Sequence, residues 1–469
     1  MAEISITFAR KTYPREAVMK DEKKITEENK SNKSGKIFKK IIVVVISAIC
    51  LIGSFFAGFV LRDVSDPDMA SLKFIVETYK KYYLEESDDF VSIMGNSIID
   101  RYSEYMTKEE YEAVVKGSAG RRKGIGIGYD KTTLKISTVN GNSPAQKAGI
   151  KEGDVIRAVK KSGEDNFTEV GNSDELSAVF SSIADDEEFS LKLDSSGGEK
   201  IITVARADYQ ETYVFYKDNS DYYCFQDENG KNMSLVRLSD GLTELDDKTA
   251  YIRYSSFNGR GASDKVGSSP WQMKTALKKF KADGKSKLIL DLRNNGGGYM
   301  DILEEVSSHF IGAENGAKKL VSKAVYKDGS EDRFVSSSVD YADYGFEKIV
   351  ILANSGTASA SEALIGAILD YDAEKRVSVV LSATGTNDGY VYRSYGKGIM
   401  QTTFRNPVLG DAIKLTTAKI YWPVSGVSIH GVGVSKESLA IYADRIYEPA
   451  VNDSVDYELK EAVSLLKVA

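Results

Sequence analysis

Histidine, cysteine and tryptophan each occur only twice in the 469 residues, and proline only seven times. Cys50 lies inside an apolar run and Cys224 far outside it, so the two cannot pair and no disulfide framework staples the chain. His309 and His430 are the only histidines, and no CxxC or HExxH spacing is present. A metal cluster is therefore excluded, and neither a metal nor another cofactor is expected. A phosphate loop of the GxxxxGK(S/T) type is also missing, and the Gly-rich stretch at Gly124 is weak evidence for a nucleotide. No basic excess exists: 62 Lys and Arg face 69 Asp and Glu, a net charge of −7, which argues against a nucleic-acid partner. What remains is globular composition, 42% apolar and 28% charged, and length enough for about three domains.

Charge is unevenly spread. Residues 1–40 carry 11 Lys/Arg against 6 Asp/Glu and show no periodicity, which reads as a solvated tail. Residues 41–61, IIVVVISAICLIGSFFAGFVL, contain no charge and are bounded by Lys39-Lys40 and Arg62-Asp63. As a helix this run reaches about 30 Å, the thickness of a bilayer's hydrocarbon, and no polar stripe interrupts it as a buried core helix would require. The expectation is a single-pass cell-membrane protein. By the positive-inside rule, residues 1–40 form a cytoplasmic tail, 41–61 a transmembrane helix, and the rest lies outside the cytoplasm.

After a short linker, residues 66–116 read as a helical segment, with apolar positions such as Leu72, Ile75, Val76 and Tyr79 at helical spacing and a helix start at Thr107-Lys-Glu-Glu110. Residues 117–206 hold Gly124-Ile-Gly-Ile-Gly128 and then Ser143-Pro-Ala-Gln-Lys-Ala-Gly-Ile-Lys-Glu-Gly-Asp-Val-Ile156. This segment resembles a PDZ domain of the bacterial protease-associated type. The resemblance implies that Gly124, Ile125 and Gly126 hold a peptide's terminal carboxylate, that the strand from Ile127 pairs with the peptide, and that a helix at 173–182 forms the other wall. Residues 207–469 alternate strand-like and helix-like runs: Tyr251–Tyr254, Leu288–Leu292 and Ile349–Ala353 as buried strands, 270–282 and 299–311 as helices.

Three segments of that last region could carry chemistry. Asn354-Ser-Gly-Thr-Ala-Ser-Ala-Ser-Glu362 places small hydroxyls at a strand-to-helix turn, where unpaired N–H groups can stabilise an oxyanion, although such residues also serve as ordinary caps. Leu290-Asp-Leu-Arg-Asn-Asn-Gly-Gly-Gly298 ends a strand in glycines, and Tyr395-Gly-Lys-Gly-Ile-Met-Gln401 follows later. In this order the three resemble the S41 serine peptidases, the carboxyl-terminal processing (tail-specific) proteases, whose pattern is DLRNNPGG, SASASE and GKGxxQ with a PDZ domain upstream. The likeness runs from about residue 70 to 435 and includes Tyr251–Phe257 and Leu415–Gly426.

The resemblance implies an α/β protease core, ClpP/crotonase-like, with an inserted PDZ domain. It implies Ser359 as nucleophile, Lys397 as general base, Gln401 as the residue orienting that lysine, and the backbone N–H groups of Gly297 and Ala360 as an oxyanion hole. Thr357 stands where the family has its first serine and Gly296 where it has proline; Ser361 and Ser355 are the fallback nucleophiles. The stretch from Ser359 to Lys397 is longer than the family's, with the excess near 383–393, read as a surface turn at 384–389. Residue chemistry agrees with a Ser–Lys dyad, because serine needs a base and both histidines read as structural. The amine must be neutral, so its pKa has to fall from ~10.4 toward ~7–8, which burial beside Ile399 and Met400 would favour. The expected activity is endoproteolysis of exported proteins with free C-terminal tails, through an acyl-enzyme, compatible with a homo-oligomer. The alternatives are a catalytically silent membrane-tethered PDZ adaptor and a small-ligand binder.

Overall fold

The computed structural model describes residues 67–84, 100–217, 222–225, 232–234, 245–259, 267–314, 316–337, 344–386, 388–451 and 455–467. The chain divides into two compact units, residues 1–70 and 71–469. Of the first, only the opening turn of the helix Pro67–Tyr82 is described. The expected tail and the expected span at 41–61 lie outside the described residues, among which no helix is long and apolar enough to cross a membrane.

The second unit is organised around a sheet with strand order Asn232–Ser234, Tyr222–Phe225, Val214–Lys217, Thr249–Tyr254, Lys287–Asp291, Lys348–Ala353, Val377–Leu381 and Ile446–Tyr447. From Thr249–Tyr254 onward every pairing is parallel. These strands are apolar on both faces because both faces are covered, and the period-two alternation sorts them. Leu288, Leu290, Ile351 and Val379 join the cluster with the helices Ser269–Ala282, Met300–Ile311 and Ala360–Tyr371. Ile289, Val350, Leu352 and Val380 face the helix Tyr457–Lys467 instead. Arg293 fastens that helix: it binds Asp291 on its own strand end and, at 2.9 and 3.0 Å, Asp456 before the helix.

A second sheet has Glu104–Met106, Ala412–Tyr421, Leu320–Tyr326 and Glu331–Val335 in order, with Ile399–Arg405 also pairing Ala412–Tyr421. The segment before residue 117 is thus not wholly helical: a strand precedes the helix Lys108–Ser118, which starts at Thr107 with Glu110 closing a capping box as its sequence indicates. The excess chain after Val377–Leu381 forms a hairpin, Ala383–Thr386 with Gly389–Tyr392, rather than a simple turn.

Residues 121–210 contain a four-stranded antiparallel sheet in the order Thr168–Glu169, Val155–Lys161, Glu188–Ser195 and Gly198–Ala205, a hairpin of Ile127–Tyr129 with Ile136–Val139, and the helices Pro144–Lys147 and Ser173–Ser181. They share their own apolar cluster, including Leu134, Ile156, Leu176 and Phe189. The incoming strand Arg121–Gly124 pairs with the outgoing strand Ala207–Gln210, so this region is inserted through two adjacent points.

One close approach on the core constrains residue choice. A Cβ at Gly366, within the helix Ala360–Tyr371, would lie 2.2 Å from the indole of Trp422, which is 1% exposed. A methyl there would gain ~1 kcal/mol of helix propensity but carry an overpacking cost of ~1–3 kcal/mol or more against a ring that has no room to move. Gly366→Ala is expected to lower the midpoint of denaturant unfolding and Gly366→Val to lower it further; midpoints equal to the parent's in both would remove this contact from the packing.

Candidate active site

At the C-terminal ends of parallel strands, the usual place for a site in an open α/β sheet, two loops are sewn together. The first follows Lys287–Asp291 and the second follows Lys348–Ala353. Asn294 N donates to Asn354 Oδ1 at 2.9 Å, Asn354 Nδ2 to Asn294 Oδ1 at 2.8 Å, and Thr357 Oγ1 to Leu292 O at 2.8 Å. Buried Asn295 accepts at its carbonyl from Ala358 N and Ser361 Oγ and donates from its side chain to Tyr254 O. Ser361 is therefore buried and engaged, Ser355 is exposed, and of the three serines Ser359 alone lines the cavity shared with Lys397.

Ser359 stands immediately before the helix Ala360–Tyr371 with φ 59° and ψ −119°, a conformation that costs a non-glycine residue of order 1–3 kcal/mol and needs its surroundings to hold it. Gly297 is one such neighbour. Its own φ is 93°, and a Cβ there would lie 2.7 Å from Ala358 O and 2.8 Å from both Ala360 N and Ser359 Cβ, so only glycine fits beneath the turn.

The other support is Glu362, fully buried one turn into the helix. Its Oε2 accepts from Ser359 N and from Lys397 N, both at 2.9 Å. Its Oε1 accepts from Gly396 N at 2.7 Å and from the Ser394 hydroxyl. Burial pushes this carboxyl above the ordinary carboxylate range, against the hydrogen bonds from Ser394, Gly396, Ser359 and Lys397 that lower it. One carboxyl group thus joins the Ser359 turn to the Lys397 turn.

Ser359, Ala360, Lys397 and Gln401 line one cavity of about 320 Å³, together with Gly298, Met300, Phe334, Ile399, Met400, Ile420 and Trp422. Burial lowers the Lys397 pKa from its ordinary value, and the charge of Lys414 lowers it further against Asp100 and Glu362. Neither histidine lines the cavity. His309 packs by Tyr344, its pKa pushed down to about 4 by burial and by Lys274 and Lys278, and His430 is exposed.

Two expected contacts differ. Gly297 N donates to Asn295 Oδ1 at 3.0 Å, inside its own turn, and Gly298 is the glycine that reaches the cavity wall. Gln401 lines the cavity but gives its side-chain N–H to Thr416 Oγ1 at 3.0 Å, because a register shift after Met400 sets it directly opposite Thr416. The roles of Glu362 and Asn295 were missed from sequence, although both stand inside the quoted motifs. A glutamate three residues after Ser359, at capping-box spacing, was the available signal.

In the inserted region, Gly124 (φ 141°) ends the strand Arg121–Gly124, Ile125 is buried, Gly126 has φ 81°, and Ile127 opens the strand Ile127–Tyr129. Among the described residues that strand pairs on one edge only. Ile127 and the helix residues Val179 and Phe180 pack on the same cluster.

Residues 248–438, which contain all three motif segments, match the sequence model of peptidase family S41. That stretch is similar to S41 peptidases. The chain is 27% identical over 412 residues to a probable CtpA-like serine protease of Staphylococcus aureus (strain bovine RF122 / ET3-1), covering 84% of this chain and 70% of that protein. It is 27% identical over 411 residues to a probable CtpA-like serine protease of Staphylococcus haemolyticus (strain JCSC1435), covering 85% and 70%. Its fold is like that of a putative S41 protease from Bacteroides fragilis NCTC 9343, with a TM-score of 0.50, 14% identity, and 84% and 96% of the two chains covered. The matches make the chain a serine-type peptidase, and Ser359 is the candidate serine at the strained turn.

Glu362→Gln exchanges one acceptor for an NH2 that must face either the N–H groups of Ser359 and Lys397 or that of Gly396. It is expected to lower kcat for peptide hydrolysis by about tenfold or more with a smaller change in KM, as for loss of alignment rather than of binding. Equal kcat in the variant would show that the carboxyl does not hold the two turns.

Proposed function

We propose that this chain is a membrane-anchored serine endopeptidase of the extracytoplasmic space in which Lys397 is the base for Ser359. The observation that carries the reading is that Ser359 and a half-buried lysine with a lowered pKa line one cavity. The neutral Lys397 amine takes the Ser359 Oγ proton as Oγ attacks the scissile carbonyl carbon. The oxyanion forms at the N-terminus of the helix Ala360–Tyr371, where the Ala360 N–H is directed, with the glycine turn 297–298 opposite. The lysine ammonium then protonates the leaving amine as the C–N bond breaks, and a water hydrolyses the acyl-enzyme with the same amine as base. The apolar wall of Ile399, Met400, Ile420 and Trp422 suits an apolar substrate side chain next to the scissile bond.

The inserted region is read as a PDZ domain that takes the C-terminal tail of a protein substrate. The free edge of Ile127–Tyr129 supports pairing with an added strand, and the left-handed glycines at 124 and 126 support turning N–H groups toward a carboxylate. The run at 41–61 is the proposed anchor, with the N-terminus cytoplasmic.

Cleavage of an unfolded protein by the full chain should be abolished by Ser359→Ala and by Lys397→Ala; cleavage unchanged in both would remove the dyad, and no cleavage by the parent would favour a tail-binding adaptor. Only the neutral amine accepts a proton, so kcat/KM should rise with pH through a limb below the ordinary lysine value of ~10.4. A limb at or above that value would place the amine in water. Amidating the C-terminus of a bound peptide should weaken binding about tenfold or more, as expected for loss of a charge-assisted hydrogen bond, and equal affinity would refute carboxylate capture.

A further inference from the structure

The catalytic lysine has a neighbour from a distant part of the sequence. Lys397 Nζ lies 5.2 Å from the centroid of the Tyr102 ring. Tyr102 belongs to a tight turn ahead of the strand Glu104–Met106, closed by Ser103 N donating to Asp100 O at 3.0 Å and by Tyr102 N and Ser103 Oγ donating to Asp100 Oδ1 at 2.9 and 3.0 Å. The turn is tied to the site from below: Ser103 Oγ accepts from Thr416 N at 3.0 Å, and Thr416 Oγ1 accepts from Gln401 Nε2. It is tied from the side as well, since Tyr102 Oη donates to Tyr395 Oη at 3.2 Å, two residues before the lysine, and the Arg101 guanidinium lies 4.9 and 5.3 Å from the two ring centroids.

We propose that Tyr102 is a positioning residue for the peptidase reaction, its ring face holding the Lys397 amine at the Ser359 cavity, with Asp100 and Ser103 fixing the ring. The groups around the amine are Asp100 and Arg101 on the same turn, Lys414 with its partner Glu104 on the paired strands, Glu362 on the helix and Tyr395 on the lysine's own loop. Burial and Lys414 favour the neutral amine, whereas the ring face favours the ammonium that forms when Ser359 gives up its proton. A four-carbon side chain with free torsions would otherwise sample many positions. The ring limits them without the strong charge of a carboxylate, which would keep the amine protonated.

The inference rests on the proposed dyad for its effect on turnover, so the test has an arm that does not need turnover. The full-length protein is labelled with 13C at lysine Cε, and the Lys397 signal is assigned with Lys397→Arg. In the parent that signal should show an upfield ring-current displacement. Tyr102→Leu should abolish the displacement and lower the titration midpoint by roughly 0.5 pH unit or more, because the ammonium loses its contact with the ring. The same variant should lose about tenfold or more in kcat with KM within about threefold. Tyr102→Phe keeps the ring face and should restore the signal, the midpoint and kcat. An unmoved Lys397 signal in Tyr102→Leu, or a Tyr102→Phe as impaired as Tyr102→Leu, overturns the inference. The expected signals in a parent that cleaves nothing would uphold the contact and remove the dyad instead.

Discussion

A single buried oxygen, Glu362 Oε2, accepts the backbone N–H of Ser359 and that of Lys397, and the rest of the site is arranged around this meeting. Ser359 and Lys397 lie on opposite sides of a strand and an added hairpin, so nothing local keeps them in register. A carboxyl group has two oxygens with room for several donors, which is why it can join the 359–362 turn to the 394–397 loop through four donors where an amide could not. The burial that makes it costly is met by four donors, so the group is held by its neighbours as firmly as it holds them.

The surrounding structure keeps the two turns from relaxing. Thr357, Asn354 and Asn295 sew the nucleophile loop to the glycine loop, and Tyr395 N donates to Thr357 O at 2.9 Å, drawing in the lysine loop. Farther out, Arg293 with Asp291 and Asp456 clamps the end of a central strand to the last helix. The Asp and Arg of the DLRNN segment therefore act on the scaffold, while its second Asn and its glycines act on the site. A strained serine persists only when such contacts over-determine it.

Much of the core was legible in sequence because the central strands are apolar on both faces and some helices, such as Lys108–Ser118 and Ser269–Ala282, carry ordinary caps. Leu288–Leu292 and Ile349–Ala353 could be read for that reason, and Thr107 with Glu110 announced its helix. Ser359 and Lys397 were found by motif, but their shared cavity depends on pairings between residues far apart in the chain. The same holds for the second sheet, where Glu104–Met106 lies beside Ala412–Tyr421. Its short strand inside a helical pattern has too few residues to show period two. The Thr416 partner of Gln401 was hidden for a related reason: a one-residue register shift, invisible in sequence, decides which residue it faces.

The inserted region leaves and rejoins the core at Gly120 and Glu211, whose backbones are joined by a hydrogen bond of 2.8 Å. An excursion whose two ends already touch imposes almost no closure entropy on its host. The host's path through space is the same with or without it, so a short glycine bridge could stand in its place. Length and sequence within the excursion can therefore vary while the spacing of the strands that carry the cavity stays fixed.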